Sequence, residues 1–247
     1  MAGDASRTDI PPARYNPGQQ SSTTDDGRKH TKATKLVDRL HEAIISGRMR
    51  PGTKINLELV RREFDVSLSP LREALARLIA MGLVELHDNR GYTVAPVSVA
   101  NLVEITELRV DAESRALAKA IAVGDLAWGS DVMRRLHQLN RLPRDPAIPQ
   151  TLEDWERAHR NFHMALLSGC QMPLLLNFCA MLHNLNDRYR RVFLAASGGD
   201  RDVNVEHSEI AQGAVARDAE YACQRLREHI GRTGSNLRAR LATEIAP

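Results

Sequence analysis

Aromatic side chains are scarce in this chain, at 4% of 247 residues, while Ala, Leu and Arg are abundant. That balance argues against a β-sandwich or barrel, whose strands draw on aromatic and β-branched residues, and for a mainly helical protein. Cysteine is nearly missing too. Cys170, Cys179 and Cys223 form no CxxC pair and leave an odd thiol, which excludes a disulfide framework and a cysteine-rich zinc site; they read as small buried apolar side chains. No apolar run reaches 18 residues, and the first twenty residues lack the charged, apolar, small-residue order of a secretory signal. The expected location is therefore the cytoplasm. Nor is there a glycine-rich phosphate loop or an internal repeat.

The net charge of +3 is small, but it is unevenly placed. Residues 1–30 carry four basic and four acidic groups, residues 31–98 carry 11 and 8, and residues 99–247 carry 19 and 19. The whole excess lies in one compact stretch, as it would in a segment that meets a polyanion. Residues 1–30, rich in Pro, Gly, Ser, Thr and Asp and without apolar periodicity, read as a disordered tail.

From Thr34 the pattern becomes regular. Leu36, Val37, Leu40, Ile44 and Ile45 recur at helical spacing until Gly47 and the Pro51-Gly52 turn. LELVRREF predicts a second, short helix. A third follows in SPLREALARLIAMG, with Ser69 as its N-cap, Pro70 at its first position, an apolar stripe of Leu71, Leu75 and Leu78, and Gly82 as its stop. LVELHDNRGYTVAPV then alternates about Asp88-Asn89-Arg90-Gly91, which predicts a β-hairpin. Three helices and a hairpin make a winged helix-turn-helix. Its third helix presents Ser69, Arg72, Glu73 and Arg77, and its hairpin tip presents Asn89 and Arg90, residue types that bond phosphates and base edges. From Val99 onward only helical patterns occur, broken at Gly124, at 142–149 and at 196–202, which predicts an all-α bundle of roughly six helices. The organisation expected is a tail over 1–30, a winged helix over 31–98 and a helical domain over 99–247.

Two histidines stand one helical turn apart in HRNFH, His159 and His163. Alone they are as compatible with core filler or surface decoration as with half of a metal site. His207 and His229 sit among apolar residues at helical spacing, and a bundle can bring four such positions to one interior point. His30, His41, His87, His137 and His183 have no comparable partners and read as surface or structural.

The stretch GRMRPGTKINLELVRREFDVSLSPLREALARLIAMGLVELHDNRGYTVAPV resembles the DNA-binding domain of GntR-family transcriptional regulators, nearly without gaps. Its PG turn, its VS-x-SPLREAL helix start, which includes Ser67, and its GLV-x(6)-GYTV wing all match. One position departs: many members carry Arg where this chain has Leu68, which shifts contact toward Arg72 and the wing. VEITELRVDAESRALAKA, HRNFHMALLSGC and EHSEIAQGAVARDAEYACQRLREHI are similar, more loosely, to the FadR-type C-terminal domain of that family. Many such domains hold a divalent metal. Carried over by position, the resemblance implies His159, His163, His207 and His229 as ligands, the first in place of the usual Asp or Asn, and Arg109 as an effector-gripping residue. The alternative for Arg109 is a helix-surface pair with Glu113 at i+4.

Four neutral imidazoles favour zinc or nickel over magnesium or calcium. They also leave the ion's charge uncompensated, which would attract an organic carboxylate. Glu206, next to His207, is expected to point away from the site. The function expected is a homodimeric, effector-responsive regulator of a pseudo-palindromic operator, more often a repressor in resembling proteins. It would have Arg72 and Arg77 at the major groove and Arg90 with Gly91 near the minor groove. The rivals are a metal-dependent hydrolase and a regulator whose metal is purely structural or is itself the signal.

Overall fold

The computed structural model describes residues 32–88, 90–145, 147–193 and 202–245. The expected tail over 1–30, His30 and the hairpin-tip Asn89 lie outside the described residues. Among those described the elements run α1 (Lys32–Ile45), α2 (Leu57–Phe64), α3 (Leu68–Ala80), β1 (Val84–His87), β2 (Gly91–Val94), α4 (Val99–Val123), α5 (Leu126–Arg141), α6 (Pro149–Ser168), α7 (Pro173–Phe193), α8 (Val203–Val215) and α9 (Ala219–Ile245). The protein is mainly α, with a two-stranded antiparallel sheet as its wing.

The N-terminal core is built from the residues whose spacing predicted it. Leu36, Leu40 and Ile44 of α1 meet Leu71, Leu75 and Leu78 of α3, with Leu83, Val84 and Val94 closing the base of the hairpin. Asn56 caps α2, its Oδ1 accepting from the backbone N–H of Glu58 at 3.0 Å and of Leu59 at 3.1 Å. The hairpin pairs Val84 with Val94 and His87 with Gly91, and Gly91 takes the positive φ of 78° that the turn requires. Lys54 bridges to Thr93 and adds a third edge to the wing.

The entry to α3 differs from expectation. Ser67 is its N-cap, in extended conformation and with no side-chain cap bond, and Ser69 lies inside the first turn. Pro70 also fits there, because the first N–H groups of a helix have no intrahelical acceptor and nothing is lost with the proline. The Ser67 hydroxyl is thus not spent on the helix.

Helices α4–α9 surround a second core that includes Ala116, Leu117, Trp128, Phe162, Leu166, Ile210 and Leu226. The long helices α4 and α9 approach so closely at Gly234 that a Cβ there would sit 2.6 Å from the Thr106 side chain. The three cysteines are buried and free. The segment 205–230, which reads as one run in sequence, is two helices: the chain turns at Arg217, φ +64°, and α9 returns along α8. This turn matters for the site, because it brings His229 back to His207.

Candidate functional site

Helix α6 carries His159 and His163 one turn apart on its inner face, and the α8–α9 hairpin supplies His207 and His229 from the other side. All four are buried, at 2%, 1%, 0% and 2% exposure. Each offers one ligand atom, and these atoms lie within 4.8 Å of one another. The rings stack or tilt at centroid distances from 4.5 Å (His159–His163) to 6.2 Å (His159–His229).

The Nε2 atoms of His159 and His163 are 3.2 Å apart, within hydrogen-bonding distance, and the Nδ1 atom of each is buried without a hydrogen-bond partner. Two imidazole nitrogens bound to one ion at about 2.1 Å would stand about 3.0–3.4 Å apart, which matches the observed spacing. The protonation states agree with ligand chemistry. Burial first, then the positive charge of Arg190 near His159 and the neighbouring imidazoles, hold His159 and His163 well below the usual imidazole range, so their lone pairs are free at neutral pH. The cluster could hold a divalent metal.

Around it stands a layer that the sequence did not make visible. Glu206, expected to face away, instead approaches His229, with Oε2 2.8 Å from His229 Nδ1 and Oε1 3.1 Å from Arg232. It does diverge from His207 along α8, but the returning α9 brings a different histidine to meet it. A carboxylate on Nδ1 fixes the tautomer and turns Nε2 toward the cluster. The charge of a bound ion would thus be partly balanced by Glu206, contrary to the expectation of an uncompensated site.

Arg109 is neither on the surface nor free. Its Nε donates to Glu113 Oε1 at 2.6 Å and its Nη2 to Oε2 at 3.4 Å, with both side chains buried. Glu113 also faces His183 Nε2 at 3.3 Å. Burial would raise the Glu113 carboxyl, but the Arg109 guanidinium and His183 outweigh it and bring it down to about 2. His183, read as surface or structural, is 1% exposed, and its ring centre is 5.4 Å from that of His163. Glu113, His163 and His183 form a second close group beside the first. Only the i,i+4 spacing of Arg109 and Glu113 hinted at this in sequence; nothing local linked His183 to it. On the other flank Trp155 stacks on His159 at 4.9 Å, and Arg190 pairs with Glu156 through two hydrogen bonds of 3.0 and 3.2 Å.

The expected DNA-facing residues lie apart from this cluster, on the winged helix. Ser67, Ser69, Arg72, Arg77 and Arg90 are exposed and Gly91 is half-buried. Helix α3 has no acidic residue in its first turn, so its positive pole is uncompensated. Arg77 is partly engaged by Glu73 at 2.6 Å, whereas Arg72 has no such pairing with Glu73. Lys54 and Asn56, absent from the sequence-based set, line an open groove of about 680 Å³ with Arg90, Gly91 and Tyr92.

A winged helix with an exposed, basic third helix, joined to an all-α bundle with a buried histidine cluster, defines a class: DNA-binding regulators with a second, all-helical domain. Residues 32–94 match the model of the bacterial regulatory proteins of the gntR family, and residues 104–232 match the FCD domain. The chain is 34% identical over 196 residues to the HTH-type transcriptional regulator BphR of Paraburkholderia xenovorans, covering 78% of this chain and 79% of that one. It is 31% identical over 195 residues to the HTH-type transcriptional repressor GlaR of Escherichia coli, covering 77% and 89%. The solved structure of E. coli McbR/YncC has the same fold, with a TM-score of 0.71 at 19% identity over 85% of this chain and 98% of that one. This chain belongs to the GntR family of bacterial transcriptional regulators, in its FadR-type branch with an FCD domain. It is a transcriptional regulator and not an enzyme, as are the relatives it matches. No helix among the described residues is long and apolar enough to cross a membrane.

Proposed function

We propose that the chain is a repressor whose DNA affinity is set by a small organic carboxylate bound at a metal in the FCD bundle. The observation that carries this reading is the convergence of His159, His163, His207 and His229 in a chain that also has a GntR winged helix. The four imidazoles would hold zinc or nickel, the metals that nitrogen-only donor sets favour. Such an ion supplies a fixed positive centre that an anion can join. Arg109 would meet the same anion with its Nη1 edge, since Glu113 occupies Nε and Nη2.

At the other end, Ser67, Ser69 and Arg72 at the start of α3 would enter the major groove with Arg77 behind them. Asn89, Arg90 and Gly91 of the wing would follow the backbone toward the minor groove. A homodimer would present two such heads to a pseudo-palindromic operator, multiplying the modest affinity of one. Repression is supported by the likeness to GlaR, which is named a repressor. Cytoplasmic location, with the nucleoid as the place of action, follows from the same reading.

The near-complete burial of all four rings favours a second reading, in which the metal is structural. One titration separates the two. DNA affinity is measured for the metal-free protein, the zinc-loaded protein, and the zinc-loaded protein with a panel of mono- and dicarboxylic acids. Weakening by an acid only in the loaded protein supports carboxylate control. A change on loading with no response to any acid makes the metal structural or the signal itself.

A further inference from the structure

Helix α7 has two working faces. His183 and Arg190, seven residues apart and so on one side of the helix, point to the sensor interior: His183 to Glu113 at 3.3 Å, and Arg190 to Glu156 beside the Trp155–His159 stack. Asn184, Arg188 and Arg191, spaced by four and three, form the adjoining face, and every one of them touches the winged helix or its exit. Asn184 Oδ1 is 3.3 Å from His41 Nε2 of α1, and Arg191 Nη1 is 2.5 Å from Glu42 Oε1. Arg188 is fully buried and donates from Nη1 to the Ala95 carbonyl at 2.7 Å and from Nη2 to the Pro96 carbonyl at 3.1 Å. Between these contacts Leu185 packs on Gly82, at the stop of α3, where an added Cβ would meet it at 3.2 Å. Tyr189 completes the grip, its hydroxyl accepting from the Ser98 N–H at 3.1 Å and donating to Asn101 Oδ1 at 2.9 Å.

We infer that α7 is the rigid coupling element between the histidine cluster and the DNA-binding head, and that Arg188 is its joint. A buried guanidinium that holds two successive carbonyls of the segment leaving the wing has no slack: α7 cannot shift or rotate on its inner face without moving Ala95, Pro96 and, through Leu185, the end of α3. The residues that face the sensor and those that face the head lie on the same turns, so no intervening loop can absorb the movement. This inference rests on the reading of the bundle as a sensor, but its geometry needs no bound ligand. Arg188 is a positioning residue in this account; it touches neither DNA nor the cluster.

The test is a double-mutant cycle on DNA affinity, using full-length metal-free protein and a duplex selected by the wild type from a random library. His183→Ala perturbs α7 from inside without removing any of the four clustered histidines. In the presence of Arg188 it should change the dissociation constant about fivefold or more, within the range of coupled sites. In the Arg188→Met background the same change should fall below about twofold. If His183→Ala has the same factor in both backgrounds, or no effect in either, the relay is overturned. Should Arg188→Met fail to fold, Asn184→Ala combined with Glu42→Gln loosens the neighbouring contacts of α7 with α1 instead and is read the same way. No metal enters the comparison, so a chain that takes up no zinc defeats the metal reading while this test stands, and an additive cycle in a zinc-responsive protein does the reverse.

Discussion

Replacing Glu206 by Gln isolates the layer behind the candidate ligands. The side chain keeps its shape and an acceptor oxygen 2.8 Å from His229 Nδ1, and loses its charge and the second acceptor that faces Arg232. Removing an outer partner of a metal-bound histidine lowers metal affinity about 10- to 100-fold, or roughly 1.4–2.8 kcal/mol. Arg232 already offsets part of the carboxylate at 3.1 Å, which places Glu206→Gln near the lower end, at about tenfold. Glu206→Ala removes the acceptor as well and should approach about a hundredfold. Competition against a chromophoric chelator reads zinc affinity directly, and the expected order is wild type, Gln, Ala. Both variants within about twofold of wild type, with His229→Ala abolishing uptake, would mean that Glu206 serves Arg232 alone, and the argument from second-layer orientation would be wrong.

Three other outcomes follow from the same geometry. Arg109→Ala or Glu113→Ala strands a buried charge and should cost about 3–5 kcal/mol of stability in denaturant melts, whereas replacing both with Met and Leu should cost much less; equal losses in single and double variants would refute a buried pair. The metal-free protein should lose stability as pH falls below about 6.5, by up to about 1.4 kcal/mol per unit for each of His159 and His163, because the unfolded chain takes up protons that the buried rings refuse. Glu113 acts in a different window: its depressed carboxyl stabilises fully above its unfolded value and is lost only from about pH 4.5 toward 2, so flat stability from pH 7 to 5 would count against neutral buried histidines. Arg72→Ala should weaken DNA binding by about 1–3 kcal/mol if it reads a base, or lower the salt slope by about one if it meets a phosphate; an unchanged affinity and slope would remove it from the interface.

How legible the molecule was depended on the range of the interactions involved. LELVRREF became a helix with the bounds its apolar spacing set, and the two strands pair as far as His87 and Gly91, because both are decided by neighbours in sequence. The start of α3 slipped from Ser69 to Ser67, since Pro70 is tolerated throughout the first turn and does not mark one position. The break at Arg217 was hidden because the segment holds no Gly or Pro after Gly213, and a non-glycine residue takes the left-handed conformation there. The partners of Glu206 and His183 were missed for a related reason. Each was read against its own helix, while its partner comes from another, His229 on α9 and Glu113 on α4. The four histidines were visible as candidates because their type and apolar surroundings are local properties; their meeting is a property of the packed bundle.

The most direct test of the central claim is metal content. Protein reconstituted with zinc and freed of excess is analysed for bound metal per chain, wild type beside His163→Ala and His229→Ala, with circular dichroism to establish that each is folded. The account predicts one ion per wild-type chain and a loss of stoichiometric binding in both folded variants. A wild-type chain that retains no zinc or nickel, or folded variants that retain as much as wild type, would contradict it.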